Sequence, residues 1–112
     1  MNEFMTKVIL ESPFAGDIEK NLEYARRCMR DCFMRGEAPI ASHLLYTQEG
    51  ILDDNRPDER KLGIDAGLLW GEHAEKTVVY TDLGISSGMH YGIKNAILND
   101  RPVEYRRFGD EL

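Results

Sequence analysis

The amino-acid sequence predicts an α/β protein with three α/β/α layers, built on an open parallel sheet of about four strands in the order 2-1-3-4. Short apolar or β-branched segments alternate with segments of helical spacing, which gives the order β-α-β-α-β-α-β. Strands that alternate with helices pair in parallel through right-handed crossovers and are covered on both faces. The 112 residues contain no internal repeat, and this length suits a single domain over residues 1–112.

The first half of the chain predicts two strands around one long helix. The first strand is predicted over Lys7 to Leu10, and the helix after it begins at an N-cap, Asp17, and ends at Gly36. Apolar residues at helical spacing give this helix one buried face: Ile18, Leu22, Ala25, Met29, Cys32 and Phe33. The second strand is predicted over Ala38 to Leu45, which begins two residues after this glycine.

The second half predicts two more helices and two more strands. A helix is expected from about Pro57 to about Gly71, since proline suits the first helical position. The segment "TVVYTD", Thr77 to Asp82, is β-branched and aromatic and predicts the clearest strand. Ser86 is expected to be the N-cap of the third helix, and "PVEYRRF", residues 102–108, predicts the last strand.

Composition restricts the classes of function. The net charge of −6 argues against a nucleic-acid binder, because binding to phosphate backbones needs a basic surface. No apolar stretch approaches the roughly 20 residues of a membrane span. The histidines lack metal-ligand spacing, and Cys28 and Cys32, four residues apart, are expected to be buried apolar groups. The sequence therefore predicts a cytoplasmic protein with no metal and no cofactor.

Two loops predict a ligand site. In an open parallel sheet, ligands bind beyond the carboxyl ends of the strands, near the point where the strand order reverses. For the order 2-1-3-4 this point lies between the first and third strands, which end in "SPFAGD", Ser12 to Asp17, and "DLGISSGM", Asp82 to Met89. Each loop leads into a helix whose free N–H groups favour an anion. Such loops also serve as plain connectors, and that alternative stays open.

Other side chains near this edge have two interpretations each. His43 is either a hydrogen-bonding or acid/base group of the site, or a histidine held at the sheet edge. Phe14 either stacks on a ligand ring or packs in the core. The segment Asp53 to Arg60 either closes over the site, with Arg56 or Arg60 pairing a phosphate, or is a solvated loop. Asp65, in "GIDAG", is either a site carboxylate or a helix-surface residue.

At these loops the sequence resembles the nucleoside 2-deoxyribosyltransferase-like superfamily, whose architecture is flavodoxin-like. "VILESPFAG" is similar to the strand and loop that cradle the nucleoside there, and "DLGISSGMHYGIKNA" is similar to the third-strand loop and helix. The set "SPFAG…N…YAR", "PIASHLLYTQ" and "GIDAG" resembles a compact branch common in bacteriophages and prophages. The resemblance implies a nucleoside- or nucleotide-type ligand and, for a phage protein, the host cytoplasm.

The sequence departs from the superfamily at the nucleophile. The transferases carry a glutamate nucleophile in a "GxxxExGxA" pattern, and aligning Gly88 and Ala96 with its ends places Gly92 at the glutamate. No Asp or Glu occurs between Leu83 and Asn99. Glycine has no carboxylate, so a covalent glycosyl step would need a carboxylate from elsewhere. Asp17, Asp65 and Asp82 are the candidates, together with a neighbouring subunit.

These observations leave three hypotheses. The first is a nucleoside- or nucleotide-binding protein without turnover, such as a phage protein that sequesters a nucleotide immune signal. The second is a nucleoside or nucleotide N-glycosidase or deoxyribosyltransferase with a relocated carboxylate, and the third is a protein that acts on a host factor through its surface. A homodimer or larger assembly is expected, because a small open sheet buries its pocket poorly, and neither a nucleic acid nor a membrane is expected as a partner.

The candidate residues follow from the loops and from the resemblance. The predicted catalytic residues are Asp65, Asp82 and His43. The predicted ligand-binding residues are Ser12, Pro13, Phe14, Ala15, Gly16, Asp17, His43, Tyr46, Arg60, Asp82, Gly84, Ser86, Ser87, Gly88 and Met89.

Overall fold

A computed structural model describes residues 5–109. Four strands and four helices follow one another along the chain: β1 (Thr6–Glu11), α1 (Ile18–Met34), β2 (Glu37–Ile40), α2 (Ser42–Leu45), α3 (Pro57–Gly71), β3 (Lys76–Tyr80), α4 (Ser87–Leu98) and β4 (Val103–Arg106). All strand pairs are parallel, and the sheet has the order β2-β1-β3-β4. The predicted fold class and strand order are confirmed.

The second strand differs from its prediction. β2 ends at Ile40, whereas Ser42–Leu45, assigned to the same strand from the sequence, form the short helix α2. β2 is an edge strand, and its pairing with β1 ends at Ile9↔Ile40. Beyond that point β1 continues to Glu11 and pairs only with β3. The chain turns into a helix across the end of the sheet.

The face of the sheet under α1 carries the larger apolar core. Alternate strand residues point to opposite faces, and Val8, Leu10, Val78 and Tyr80 pack here against α1. Cys28 and Cys32 of α1 are fully buried in this cluster as free thiols, as the spacing predicts. Burial raises the pKa of the Cys28 thiol, and the neighbouring Cys32 raises it further, so the Cys28 thiol stays protonated.

The opposite face is covered by α3 and α4. Val79 packs with Met89 and Ile93 of α4. Gly71 of α3 lies so close to Ile9 that a Cβ at residue 71 would overlap the Ile9 side chain. The odd-numbered residues at the end of β1 therefore face α3 and α4, while the even-numbered residues face α1.

A buried ionic network joins the two edge strands. Arg106 of β4 donates from Nη1 and Nη2 to the Glu37 carboxylate of β2, at 2.8 and 2.6 Å, and from Nη1 to the Tyr80 hydroxyl at 3.0 Å. Lys76 joins the network through Glu37 at 3.1 Å and Glu104 at 3.0 Å, and Arg106 also contacts Glu104. Burial opposes ionisation, but these donors lower the pKa of Glu37 to about 2.

Within residues 5–109, no helix has both the length and the apolar character that a membrane crossing requires.

Candidate active site

A cavity of about 180 Å³ lies between β1, α2, α3 and the beginning of α4. β1 contributes Ile9 and Glu11 to its wall, and Ile64 and Leu68 of α3 form part of its apolar side. Apolar walls with a few convergent polar groups are typical of small-molecule sites. The cavity therefore lies at the carboxyl end of β1, next to β3, where the strand order predicts a ligand.

The loop after β1 forms one wall of the cavity. Ser12, Phe14 and Ala15 line it. The side-chain amide of Asn21 donates to the carbonyls of Phe14 and Ala15, at 2.8 and 3.0 Å, and this anchors the loop to α1. Pro13, Gly16 and Asp17, which the sequence also assigns to the site, are not among the lining residues. Asp17 instead caps α1, as predicted, by accepting from the Lys20 N–H.

The beginning of α4 forms the facing wall. Ser86, Ser87, Gly88 and Met89 line the cavity, and Ser86 caps α4 by accepting from the Met89 N–H at 3.3 Å. The loops after β1 and β3 therefore meet at one cavity, as the sequence predicts. Gly84 lies in the loop with a φ of +87°, a conformation that favours glycine, and is not a lining residue.

His43 lies in the cavity wall and is held by Ser12. Its Nε2 atom is 2.7 Å from the Ser12 hydroxyl oxygen, and the Ser12 residue is buried. Burial lowers the pKa of His43 to about 4, so the ring is neutral near pH 7. Tyr46, one turn further along, lines the same wall. The structure therefore brings His43 and Tyr46 together with the loop after β1.

Asp82 and Asp65 lie elsewhere. Asp82 follows Tyr80 by two residues and lies on the α1 side of the sheet, where it accepts from the Tyr24 hydroxyl at 2.7 Å and from the N–H groups of Phe108 and Gly109. Burial alone would raise the pKa of Asp82, but these donors lower it. Asp65 is exposed and pairs with Lys61 at 2.6 Å along α3. Neither carboxylate lines the cavity.

The segment before α3 and the first turn of α3 form a charged rim. Asp54, Glu59 and Arg60 line the cavity, and Arg60 lies 3.7 Å from the Asp54 carboxylate. Arg56 pairs instead with Asp58 and Glu59, and Arg56 is not a lining residue. Of the two arginines considered for the rim, the structure therefore brings Arg60 to the cavity.

The sequence analysis missed Glu11. It is the last residue of β1, and its carboxyl lies in the cavity wall against Gly92 of α4. Burial raises the pKa of Glu11 to about 8, although the Arg101 guanidinium lowers it. Gly92 is the residue that the resemblance aligns with the transferases' glutamate, and the carboxyl that lies against it comes from β1. Period-two alternation with the cavity-lining Ile9 is the signal that identifies Glu11.

Among the residues that the structure describes, no cluster of three or more His, Cys, Asp or Glu side chains has the arrangement of a metal site.

Comparisons with known proteins agree with the fold. A family model described as "Domain of unknown function (DUF7768)" matches residues 6–106, so the chain belongs to this family. No curated protein matches the chain. The chain is similar to the solved structure of a 2-deoxyribosyltransferase from the psychrotolerant bacterium Bacillus psychrosaccharolyticus, with a TM-score of 0.64 and 18% identity over 96% of this chain and 77% of that chain. This similarity confirms the deoxyribosyltransferase-like fold.

Proposed function

We propose that this member of the DUF7768 family binds a nucleoside or a nucleoside monophosphate in the cavity between β1, α3 and α4. The observation that carries the proposal is the meeting of the two strand-end loops at one cavity. The fold is similar to that of a protein that acts on deoxyribosyl groups. Phe14, Ile64 and Leu68 offer apolar surface to a ring, while Ser12 and His43 offer polar groups.

The size of the cavity favours one nucleoside unit. Its volume of about 180 Å³ is below the roughly 300–1,000 Å³ of pockets that hold drug-sized ligands. A cyclic oligonucleotide is therefore a poorer candidate than a mononucleotide. If the protein sequesters a nucleotide signal without turnover, we expect that signal to contain a single nucleoside in the cavity.

A melting-temperature screen tests the proposal. Purified protein is mixed with deoxynucleosides, ribonucleosides, their monophosphates, ADP-ribose derivatives and cyclic dinucleotides. A ligand at about a hundredfold excess over its Kd stabilises the folded state by about 2.7 kcal/mol, which raises the Tm by roughly 10 °C for a domain of this size. If no member of the panel raises the Tm, the proposal is wrong. A tight protein partner in a pull-down would then support the host-factor alternative.

Arg60 distinguishes nucleosides from nucleotides. We expect Arg60→Gln to weaken binding of a monophosphate about tenfold or more, because the Arg60 guanidinium lies at the rim beside Gly88 of α4. The other arginine among the lining residues, Arg101, is buried. Binding of the matching nucleoside should stay within about twofold. Arg26→Gln, an exposed change on α1, is the matched control and should leave both affinities unchanged.

A homodimer or larger assembly remains part of the proposal. Large apolar side chains are exposed on α3 and α4, and self-association would cover them: Leu62, Leu69, Trp70, Ile97 and Leu98. Light scattering coupled to size-exclusion chromatography measures the mass in solution, and a monomer at all concentrations would contradict this expectation.

A further inference from the structure

The carboxyl group of Glu11 is an ionisable group that lies in the cavity wall. It comes from the end of β1, on the face that α3 and α4 cover, and it lines the same cavity as Ser12 and His43. Its place depends on Gly92: a Cβ at residue 92 would lie 2.6 Å from the Glu11 Cδ and 3.0 Å from Oε1. The distance to Cδ is shorter than real Cβ contacts, so any other residue at 92 would force this carboxyl to move from its place.

No described residue neutralises this carboxyl by direct contact. Among residues 5–109, the Glu11 carboxyl takes part in no hydrogen bond and no ion pair within 4 Å, although the Glu11 backbone pairs with β3. Arg101 is the nearby cation, but its donors are directed to the Thr77 hydroxyl at 2.9 Å, the Gly71 carbonyl at 3.1 Å and the Asn95 side chain at 2.8 Å. The Glu11 carboxyl is therefore left available to a molecule in the cavity.

The surroundings of Glu11 keep it protonated near neutral pH. Burial raises its pKa to about 8, and the charge of Arg101 offsets only part of that rise. The other titratable or charged groups that line the cavity are His43 and Tyr46 near α2, Asp54 in the rim, Glu59 and Arg60 of α3, and Tyr91 of α4. A carboxyl group that is neutral at pH 7 and faces a cavity is suited to donate a proton.

We propose that Glu11 is the general acid in hydrolysis of the N-glycosidic bond of a nucleoside held in the cavity. This inference rests on the proposed function. Glu11 donates its proton to a ring nitrogen of the base while the bond from C1′ to the base breaks, and the bonding electron pair leaves with the base. Water adds to C1′ and releases one proton to the solvent, from which Glu11 is reprotonated. The products are the free base and the free pentose.

Chromatography of the free base tests this inference. The whole protein is incubated with deoxynucleosides, ribonucleosides and their monophosphates between pH 5 and 10. We expect base release whose rate falls about tenfold per pH unit above pH 8, as the acid loses its proton. Glu11→Gln should lower the rate about 10²–10⁴-fold and leave ligand-induced melting shifts in place. Glu23→Gln, an exposed change on α1, is the matched control.

A second variant keeps the carboxyl but moves it. Gly92→Ala places a methyl group in the space that the Glu11 side chain occupies, so it should also abolish base release although Glu11 is present. A melting curve of the Gly92→Ala variant shows whether that variant is folded. If it is unfolded, base release by Glu11→Gln alone tests the role of Glu11.

The outcomes separate this inference from the proposed function. Melting shifts without base release would overturn the role of Glu11 as an acid and leave the binding proposal standing. Base release that survives Glu11→Gln, or a pentose ester on Glu11 found by mass spectrometry, would also overturn it. No melting shift and no base release with any member of the panel would overturn both.

Discussion

The Ser12 hydroxyl oxygen lies 2.7 Å from Nε2 of His43, which joins the end of β1 to α2 across the end of the sheet. The Ser12 residue is buried, so each partner would lose a hydrogen bond if the other were removed. This contact holds the imidazole in the cavity wall, where α2 follows directly after the short edge strand.

His43 makes stability depend on pH in the acidic range. Its pKa is about 4 in the folded chain and 6.5 in the unfolded chain, so the unfolded chain binds more protons between these values. The contribution is present above pH 6.5 and is lost as the pH falls through 4; it is roughly 3 kcal/mol. Urea unfolding at pH 7 and 4.5 should therefore show a smaller pH-dependent loss for His43→Gln than for the unmodified chain. The exposed change His73→Gln should behave like the unmodified chain.

Glu11 makes stability depend on pH in the opposite direction, in the alkaline range. The folded chain holds its proton up to about pH 8, whereas the unfolded carboxyl loses it near 4.5. Its contribution to the free energy of unfolding is present below pH 4.5 and is lost as the pH rises through 8. We expect Glu11→Gln to become more stable than the unmodified chain at pH 9, by up to roughly 5 kcal/mol, in urea unfolding. If the two curves stay parallel from pH 5 to 9, the carboxyl is not desolvated. Glu23→Gln serves again as the control.

Asp82 stabilises the fold, because its contacts hold the segment after β4 against α1. Asp82→Asn removes a charged acceptor from the Tyr24 hydroxyl and from two backbone N–H groups, at Phe108 and Gly109. The expected cost is about 1–3 kcal/mol in urea unfolding, with ligand-induced melting shifts unchanged. Asp65→Asn, on the exposed face of α3, should leave the unfolding midpoint almost unchanged. Loss of base release by either folded variant would restore that carboxylate as a catalytic candidate.

Removing one partner of the buried ion pair between Glu37 and Arg106 should lower the free energy of unfolding more than replacing both partners. Glu37→Ala leaves a buried guanidinium with only part of its partners and should cost about 3 kcal/mol. Replacing both partners, as Glu37→Leu with Arg106→Met, should cost less than the single change, because no unpaired charge stays on Arg106. The free energies of unfolding of both variants decide this. A double variant that is less stable than Glu37→Ala would show that the pair itself stabilises the fold.

Local patterns predict the fold well because they are set by short-range chemistry. The alternation of strands and helices, the N-caps Asp17 and Ser86, and the burial of Cys28 and Cys32 all follow from neighbours within one turn. The meeting of the two loops follows from the strand order alone. By contrast, α2 depends on where pairing between β1 and β2 ends, which the apolar run from Ala38 to Leu45 does not reveal.

The carboxylates are harder to place because the face of the sheet decides their role. Asp82 has a suitable position in the chain, but it shares the parity of Tyr80 and therefore lies on the α1 side. Glu11 resembles a solvent-exposed residue at the end of a strand. Its importance depends on Gly92, which is distant in the sequence and identifiable as a partner only in three dimensions.

The helix α3 covers the cavity, yet of its 15 residues, all described, only Gly71 is buried. Much of the apolar surface that would normally hold such a helix on its sheet is therefore missing, and an occupant of the cavity would supply it. Backbone amides of α3 should consequently exchange with deuterium faster than those of α1, and a bound nucleoside should slow them. Binding of the ligand and packing of α3 on the sheet would then occur together, with the ligand completing the third layer of the domain.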